Sequence, residues 1–271
     1  MYIFLNILKF AGVCLSAYLI GAFPSALVLA KLFKGVNLLK EGSGNPGLSN
    51  ALDVCGVWPV GFFAIITEFT KAWWCYVFAW HVCGWNFSPG LSLQSGGVWG
   101  MMLLAFFAFL GHDFSVFLKF RGGKGTCIPA STLLFFGAFY YVVSLIWIFV
   151  PYMLKDKKKR FKIQNSLMIL LILAGALLLL LEKYFWAGTL FAWRFSYLFG
   201  IHPPDLIPIA AGITALTLLF PVRRCIMTGV AADIKKGIPP GKALYLRALF
   251  MMYPKESDSR PPGKNFDMVE D

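Results

Sequence analysis

Residues 127–154 read CIPASTLLFFGAFYYVVSLIWIFVPYML, and six lysines and arginines follow within the next eight positions. The stretch is apolar and longer than the ~20 residues that a helix needs to cross the hydrocarbon of a bilayer. Pro129 and Gly137 interrupt it, which predicts two short helices over Ile128–Phe136 and Ala138–Leu154. Such a pair enters a membrane and returns to its starting side, and its irregular backbone must be covered by protein or line a wet cavity.

Apolar runs of similar character occur on both sides of this stretch. Hydrophobic residues make up 58% of the 271 positions, more than a soluble core of this length can bury, so the bilayer is predicted to be the main solvent. In the first run Gly21 and Pro24 predict a bend. The five runs are Tyr2–Phe33, Val57–Val82, Val98–Phe117, Leu167–Leu181 and Leu206–Phe220.

The distribution of lysine and arginine sets the predicted orientation. The connection from Cys83 to Gly97 has none and is placed outside, whereas the positive-inside rule places the basic connections in the cytoplasm. The basic run after Leu154 obeys that rule only if the paired short helices turn back. We therefore predict an all-α integral membrane protein with about seven transmembrane helices, two of them short and paired, the N-terminus outside and the C-terminus cytoplasmic.

A single membrane domain is predicted over residues 1–253, without an internal repeat. Residues 254–271 contain Pro261 and Pro262 among several charges and are predicted to form a disordered cytoplasmic tail. The segment Phe185–Phe199 is rich in aromatic residues and is predicted to lie in the outer membrane interface instead of spanning the bilayer.

The net charge of +12 does not by itself indicate nucleic-acid binding. The lysines and arginines lie in short stretches between apolar runs, beside anionic lipid headgroups, and form no continuous face. The lipid bilayer is the predicted partner instead. The six cysteines and three histidines are scattered without metal-ligand spacing, and the cysteines are interpreted as small buried residues. Neither a metal site nor a cofactor is predicted.

Two cytoplasmic connections are unusually dense in glycine and small polar residues. The first, residues 42–50, reads GSGNPGLSN. Its glycines allow positive φ and let backbone N–H groups converge on an anion, while the serines and asparagines supply neutral hydrogen-bonding groups. A simple turn in which Ser49 or Asn50 caps the next helix accounts for the pattern equally well.

The second connection, residues 111–125, reads GHDFSVFLKFRGGKG. Its last four residues resemble a phosphate cradle in composition and lead into the predicted helix from Ile128, whose N-terminus adds a positive dipole. The spacing of a nucleotide P-loop is absent. Taken alone, the basic residues could be a positive-inside flank and His112 a hydrogen-bonded residue at a helix end. Because both connections are predicted on one side of the membrane, we favour a phosphate-binding cleft.

Three motifs in the same order carry a family resemblance. They are the run Tyr18–Ser25 (YLIGAFPS) and the two glycine-rich connections. Together they resemble the bacterial acyl-phosphate-dependent glycerol-3-phosphate acyltransferase family (PlsY), and the resemblance covers about Tyr18 to Gly125. It implies a seven-helix membrane enzyme with its N-terminus outside, in agreement with the topology predicted from the charges.

The resemblance also implies an activity. The family transfers a fatty acyl group from acyl phosphate to the 1-hydroxyl of glycerol 3-phosphate, which gives lysophosphatidate and phosphate at the cytoplasmic face of the cell inner membrane. Carried over by motif, the catalytic residues would be Ser43, Asn45, Asn50 and Lys124. The substrate-binding residues would be Gly42, Gly44, Gly47, His112, Lys119, Gly122, Gly123, Gly125 and Arg223.

The chain departs from the family pattern at three positions, so we interpret it as a divergent member. The first motif usually has an arginine ten residues after its serine, and here that position is Asp53. The third motif reads His-Arg-any-Asn-Ile, and Val222 and Cys225 stand where its histidine and asparagine would be. Arg223 is retained.

Two alternatives stay open. The departures are also compatible with a catalytically silent relative that binds an anionic lipid or acyl phosphate as a partner or regulator. A transporter, or a transferase for another acceptor, would be compatible with charges inside a span. Glu68 and Lys71 lie near the middle of the second apolar run, one helical turn apart, where they could pair with each other.

Overall fold

All regular secondary structure in the described part of the chain is helical. The computed structural model describes residues 2–84, 97–120, 122–123, 125–137, 157–181, 194–201, 206–227, 230–235 and 237–249. No strand occurs within these ranges, so the prediction of an all-α fold is confirmed. The helices are α1 Tyr2–Ala22, α2 Ser25–Lys34, α3 Leu48–Cys55, α4 Phe62–Phe69, α5 Lys71–Val77, α6 Gly97–Asp113, α7 Cys127–Phe136, α8 Lys157–Leu181, α9 Phe195–Leu198, α10 Ile207–Met227, α11 Val230–Lys235 and α12 Pro240–Leu249.

The first apolar run is broken where a bend was predicted. Helix α1 ends at Ala22 and α2 begins at Ser25, so Phe23 and Pro24 form the junction. A break frees carbonyl groups that need new partners in an apolar environment. Ser115 supplies one of them, because its Oγ donates to the carbonyl oxygen of Ala22 at 2.6 Å. The junction is thereby tied to the far end of α6.

Close backbone contact between α1 and α6 sets the position of that junction. A Cβ on Gly21 would overlap the carbonyl oxygen of Ala108, and a Cβ on Gly111 would overlap that of Tyr18. The hydroxyl of Tyr18 donates to the carbonyl oxygen of Phe114 at 2.7 Å. Small residues permit this approach, as is common where membrane helices pack.

The second apolar run forms four consecutive helical segments instead of one. A kinked turn at Val57–Gly61, in which Trp58 has extended backbone angles, and a π-helical turn at Phe78–Val82 flank α4 and α5. Thr70 separates α4 from α5, and its Oγ1 donates to the carbonyl oxygen of Ile66 at 2.8 Å. Hydroxyl bonding of this kind bends helices. The interruption at Thr70 lies between Glu68 and Lys71, and the side chains of both residues are buried.

Helix α7 corresponds to the first of the two predicted short helices. All ten of its residues are buried, and it extends for about 15 Å at 1.5 Å per residue, roughly half of a bilayer core. It packs on α5, where Ser131 accepts from the backbone N–H of Ala72 at 3.1 Å. The hydroxyls of Tyr76 and Thr132 lie 2.8 Å apart. The predicted partner helix, Ala138–Leu154, lies outside the described residues.

The later helices differ from the predictions at their ends. Helix α8 begins at Lys157, ten residues before the predicted start at Leu167, because lysine and arginine continue a helix readily after its apolar part. Helix α10 likewise continues past Phe220, so that Arg223 is one of its residues. Helices α11 and α12 were not predicted. The tail from residue 250 onward lies outside the described residues, as does most of the aromatic segment.

Several helices are apolar enough for a bilayer. Phe4–Ala22 and Gly97–Leu118 are long enough to cross one unaided, and four shorter apolar helices accompany them. Large apolar side chains are exposed along these elements, among them Leu15, Trp99 and Leu170 at 58, 59 and 62%. Exposed apolar faces of this extent need an apolar solvent or partner.

Candidate active site

A narrow cleft, partly open to solvent, lies where the α1–α2 junction, the first glycine-rich connection, the junction of α4 and α5 and the end of α6 meet. The two connections that the sequence analysis singled out are therefore neighbours. The residues that line the cleft are Gly21, Ala22, Phe23, Pro24, Pro46, Gly47, Glu68, Lys71, His112, Ser115, Leu118 and Gly123.

Asn50 holds the first connection together from inside. Its Nδ2 donates to the carbonyl oxygens of Leu38, Glu41 and Asn45 at 3.0, 3.0 and 2.9 Å, and its Oδ1 accepts from the backbone N–H of Ser43 at 2.8 Å. The side chain is buried. Two hydrogens shared among three carbonyls, with the oxygen also engaged, use the full capacity of the amide.

The interpretation of Ser49 or Asn50 as a helix cap is wrong. Helix α3 begins at Leu48, so both residues lie in its first turn, and Gly47 stands at the cap position without a side-chain bond. The chain needs glycine elsewhere in this connection. Gly42 has a φ of +59°, and a Cβ there would overlap the Oδ1 of Asn50.

Asn45 is buried and only partly satisfied. Its Oδ1 accepts from the backbone N–H of Gly47 at 2.8 Å. Its Nδ2 has no hydrogen-bond partner among the described residues, and 3% of the residue is exposed. A buried amide hydrogen without a partner is costly, so each such group in a folded protein calls for an explanation. Ser43, by contrast, is half-buried.

The second connection folds back over the end of α6. The backbone N–H of Gly122 donates to the carbonyl oxygen of Asp113 at 3.0 Å, and that of Gly123 donates to the carbonyl oxygen of His112 at 2.8 Å. A Cβ on Gly122 would overlap the carbonyl oxygen of His112. These glycines therefore serve close packing, and their two N–H groups already bind α6.

The basic candidates of the second connection occupy different environments. Lys119 is exposed and has a left-handed φ of +53°. Arg121 and Lys124 lie outside the described residues. Gly125 has a φ of +82°, and a Cβ there would lie 2.8 Å from a carboxylate oxygen of Asp113. Arg223 lies in α10.

A buried charged network lies at the floor of the cleft. Lys71 Nζ lies 2.8 Å from Glu68 Oε2, so the predicted pairing of these residues is confirmed. Ser25 Oγ donates to Glu68 Oε1. His112 joins the pair, with its Nδ1 at 3.5 Å from Lys71 Nζ and 3.6 Å from Glu68 Oε2. All four residues are buried.

Sequence reasoning found these residues and predicted the pairing of Glu68 with Lys71, but it did not predict that Ser25 and His112 join that pair. Charges inside an apolar run mark functional sites in membrane proteins, and that signal singled out Glu68 and Lys71. His112 was selected through the second connection and Ser25 through the family resemblance. Nothing in the spacing shows that one network holds all four, because Ser25 and His112 are 43 and 41 positions away from their partners.

Glu68, His112 and Cys127 are the described residues whose ligand atoms could meet on a metal ion, all within 4.8 Å of one another. The fold thus brings Glu68 close to a histidine and a cysteine that lie more than 40 positions further along the sequence. However, the ammonium group of Lys71 already neutralises the Glu68 carboxylate at 2.8 Å. A metal ion would have to displace that internal cation and take its place beside the same oxygen.

Comparison with known proteins identifies the family. The family model described as glycerol-3-phosphate acyltransferase matches residues 11–232. The chain belongs to this family. The match includes both glycine-rich connections and the helix that carries Arg223.

Curated relatives carry the same name. A glycerol-3-phosphate acyltransferase 2 of Lactobacillus acidophilus is 32% identical over 145 residues, which cover 53% of this chain and 62% of the relative. The Bacillus subtilis enzyme is 34% identical over 49% of this chain and 62% of its own length. The Chlorobaculum tepidum protein is 28% identical over 79% of this chain and 90% of its own length. The aligned part thus spans about three fifths of the first two relatives.

A solved structure shares the fold. The crystal structure of PlsY (YgiH), described as an integral membrane glycerol 3-phosphate acyltransferase in its glycerol 3-phosphate form, is similar with a TM-score of 0.53 and 21% identity. The similarity covers 84% of this chain and 92% of that chain. A lysophosphatidic acid form of the same protein is similar to the same degree, with a TM-score of 0.53.

Proposed function

We propose that this protein is a membrane acyltransferase that moves a fatty acyl group from acyl phosphate to the 1-hydroxyl of glycerol 3-phosphate. Family membership supports the acceptor and the transfer. The observation that carries the proposal is the cleft in which residues of both family motifs meet a buried charged network. That combination brings polar groups of both motifs together, and the basic residues named below are proposed to supply the positive charge for two phosphate-bearing substrates.

The proposed reaction needs positioning more than a reactive protein nucleophile. The glycerol hydroxyl attacks the acyl carbon, a new ester bond forms, and the bond from acyl carbon to phosphate oxygen breaks. The hydroxyl proton leaves with the phosphate product. Because phosphate is a good leaving group, oriented donors and cations can supply most of the stabilisation. Lys124 and Arg223 are proposed to hold phosphate groups, together with Lys119.

Asn45 is the proposed donor to the oxygen that becomes negative during transfer. Its Nδ2 is buried without a partner among the described residues, and Pro46 and Gly47 beside it line the cleft. Ser43 and Asn50 are proposed to belong to the same centre, Asn50 through the loop geometry that it maintains. Loss of one such oxyanion donor costs roughly 100-fold or more in kcat.

The proposed location is the cell inner membrane, with several passes and the cleft facing the cytoplasm. The apolar helices support the membrane location, and the lysines at the end of and after the first apolar run, Lys31, Lys34 and Lys40, support the orientation. The seven-helix count, the outside N-terminus and the cytoplasmic C-terminus belong to the same proposal.

Comparison of two asparagine variants tests this function. Asn45 and Asn37 each accept a bond from the backbone N–H two residues on, at 2.8 and 3.0 Å, but Asn37 lies in an exposed turn. With palmitoyl phosphate and glycerol 3-phosphate, Asn45→Ala is expected to lower kcat by roughly 100-fold and Asn37→Ala to leave it near wild type. Equal activity of the two variants would remove Asn45 from the site.

The same assay separates acyl transfer from a silent, lipid-binding relative. The silent relative rests on Asp53, Val222 and Cys225, which replace family residues. It predicts that labelled acyl phosphate binds to the purified protein without turnover. Formation of lysophosphatidate would exclude it.

A further inference from the structure

Four aromatic side chains form one exposed surface at the end of α2 and the start of α4. The rings of Phe33 and Phe63 are stacked with their centroids 5.7 Å apart. Phe62 lies 5.4 Å from Phe63, and Trp58 lies 5.5 Å from Phe62. The exposed fraction of these residues runs from 37% at Phe63 to 68% at Trp58. A contiguous apolar patch of this kind, here called the aromatic surface, marks a contact with a partner or a membrane.

Two lysines in the last turn of α2 lie on either side of Phe33 in the sequence. Lys31 and Lys34 are exposed, and neither has an ion-pair partner in the part of the chain that the structure describes. Burial raises the pKa of the Cys55 thiol and the ammonium group of Lys34 opposes that rise, so Lys34 lies near the end of α3. Cys55 precedes Trp58 by three residues. Positive charge therefore lies at the Trp58 end of the aromatic surface.

The exposed side chains change in character along this face. Ile66, one helical turn beyond Phe62, is aliphatic and 46% exposed. The two phenylalanines of α4 come before it, Trp58 before them, and the lysines lie at the Trp58 end. A bilayer accounts for this order, because its hydrocarbon takes aliphatic side chains, its interface takes tryptophan and its headgroup layer takes lysine. A protein partner requires no such order.

We propose that the aromatic surface docks on the cytoplasmic leaflet of the bilayer, where Lys31 and Lys34 bind the headgroup of an anionic phospholipid. Trp58 has an apolar body and a polar N–H, which suits it to the level of the headgroups. The charge of the lysines favours an anionic headgroup over a zwitterionic one. The exposed rings need an apolar cover, which a lipid supplies and a free phosphate ion does not.

The two helices that carry this surface also carry part of the cleft floor. Ser25 is the first residue of α2, and its hydroxyl donates to Glu68 near the end of α4. Docking would hold both helices, and the cleft beside them, against the membrane from which a fatty acyl donor arrives. This consequence and the side of the membrane rest on the proposed function, whereas lipid binding can be measured without activity.

Native mass spectrometry of the purified protein measures its lipid preference. The probes are phosphatidylglycerol and phosphatidylcholine with identical acyl chains. Lys31→Gln/Lys34→Gln is expected to lower the affinity for phosphatidylglycerol roughly tenfold and to leave that for phosphatidylcholine within about twofold, because only the anionic headgroup gains from the lysines. Lys9→Gln/Lys242→Gln is the matched control, since it removes two exposed positive charges elsewhere. Equal phosphatidylglycerol affinity in the two double variants would overturn the proposal.

Fluorescence quenching in phosphatidylglycerol vesicles shows what covers the aromatic surface. The difference in emission between wild type and Trp58→Phe isolates Trp58 from the other tryptophans. Lipids brominated near the headgroup end of the acyl chain are expected to quench this difference more strongly than lipids brominated near the chain terminus. Quenching by acrylamide in water without quenching by brominated lipid would place the surface in water. Protection from both quenchers would show that protein covers it, as in a dimer, and either result would overturn the proposal.

The two experiments separate this surface from the proposed acyl transfer. If Lys31→Gln/Lys34→Gln loses phosphatidylglycerol binding while the wild-type protein forms no lysophosphatidate, the docking surface stands and the proposed function fails. If lysophosphatidate forms but this variant binds phosphatidylglycerol as well as its control does, the proposed function stands and the docking surface fails.

Discussion

The two glycine-rich connections have similar compositions but are built in opposite ways. In the first connection one side chain, Asn50, binds four backbone groups. In the second the backbone itself binds the end of α6 through Gly122 and Gly123. Glycine allows a left-handed turn around a side chain in one case and close approach of two backbones in the other. Glycine content alone therefore does not distinguish an anion cradle from a packed turn.

The difference predicts which substitutions disrupt each connection. The structure of the first connection should depend on the amide of Asn50 and should tolerate changes to residues that do not contact this amide. The structure of the second connection should depend on the absence of side-chain atoms at Gly122 and Gly123 and should tolerate changes to its exposed residues.

The largest effect is expected for Asn50→Ala. It removes the hydrogen bonds of one amide and leaves buried backbone groups unpaired, which should lower the free energy of unfolding by about 4 kcal/mol. Asn37→Ala, which removes one exposed turn bond, should cost less than about 1 kcal/mol. Thermal unfolding in detergent measures both. Equal melting temperatures would show that Asn50 does not hold the first connection together.

A somewhat smaller effect is expected for Gly122→Ala in the second connection. The new methyl group would overlap the carbonyl oxygen of His112, and relief of that overlap should cost about 3 kcal/mol and displace the connection from α6. Gly12→Ala is the matched control, since nothing lies within 4 Å of its Cβ position. A Gly122→Ala protein as stable and as active as the control would contradict the packed turn.

The smallest effect is expected for Ser115→Ala, which tests the tie between α6 and the α1–α2 junction. The substitution removes the 2.6 Å hydrogen bond from Ser115 Oγ to the carbonyl oxygen of Ala22, which should lower the free energy of unfolding by about 1 kcal/mol. Ser16→Ala removes a comparable bond to the carbonyl of Gly12 within α1 and should cost less, because that carbonyl lies in an intact helix. If the Ser115→Ala and Ser16→Ala variants had the same melting temperature, the stability of the junction would not depend on Ser115.

Local signals in the sequence predicted much of the fold. Pro24 predicted the break between α1 and α2, and the interruption at Gly137 predicted the end of α7. Helix ends in polar sequence were harder to predict. Helix α8 begins at Lys157, in a run of lysines that has no apolar pattern. Propensity alone does not decide whether such a basic run is a loop or a helical turn.

The candidate site was predicted as a set of motifs but not as an arrangement. Composition indicated polar connections, and the charges in the second run indicated a pair at Glu68 and Lys71. The place of His112 beside Lys71 depends on how α5 and α6 pack, and no pattern within either helix contains that information. The role of Asn50 was also missed, because a buried loop amide and an exposed catalytic amide have the same sequence signature.

The central claim is that the cleft transfers an acyl group to glycerol 3-phosphate. The most direct measurement is the amount of lysophosphatidate and phosphate formed by the purified protein from palmitoyl phosphate and labelled glycerol 3-phosphate. The account predicts that the two products appear in equal amounts, and that both fall roughly 100-fold in Asn45→Ala. A protein that unfolds cooperatively on heating yet binds acyl phosphate without forming either product would contradict it.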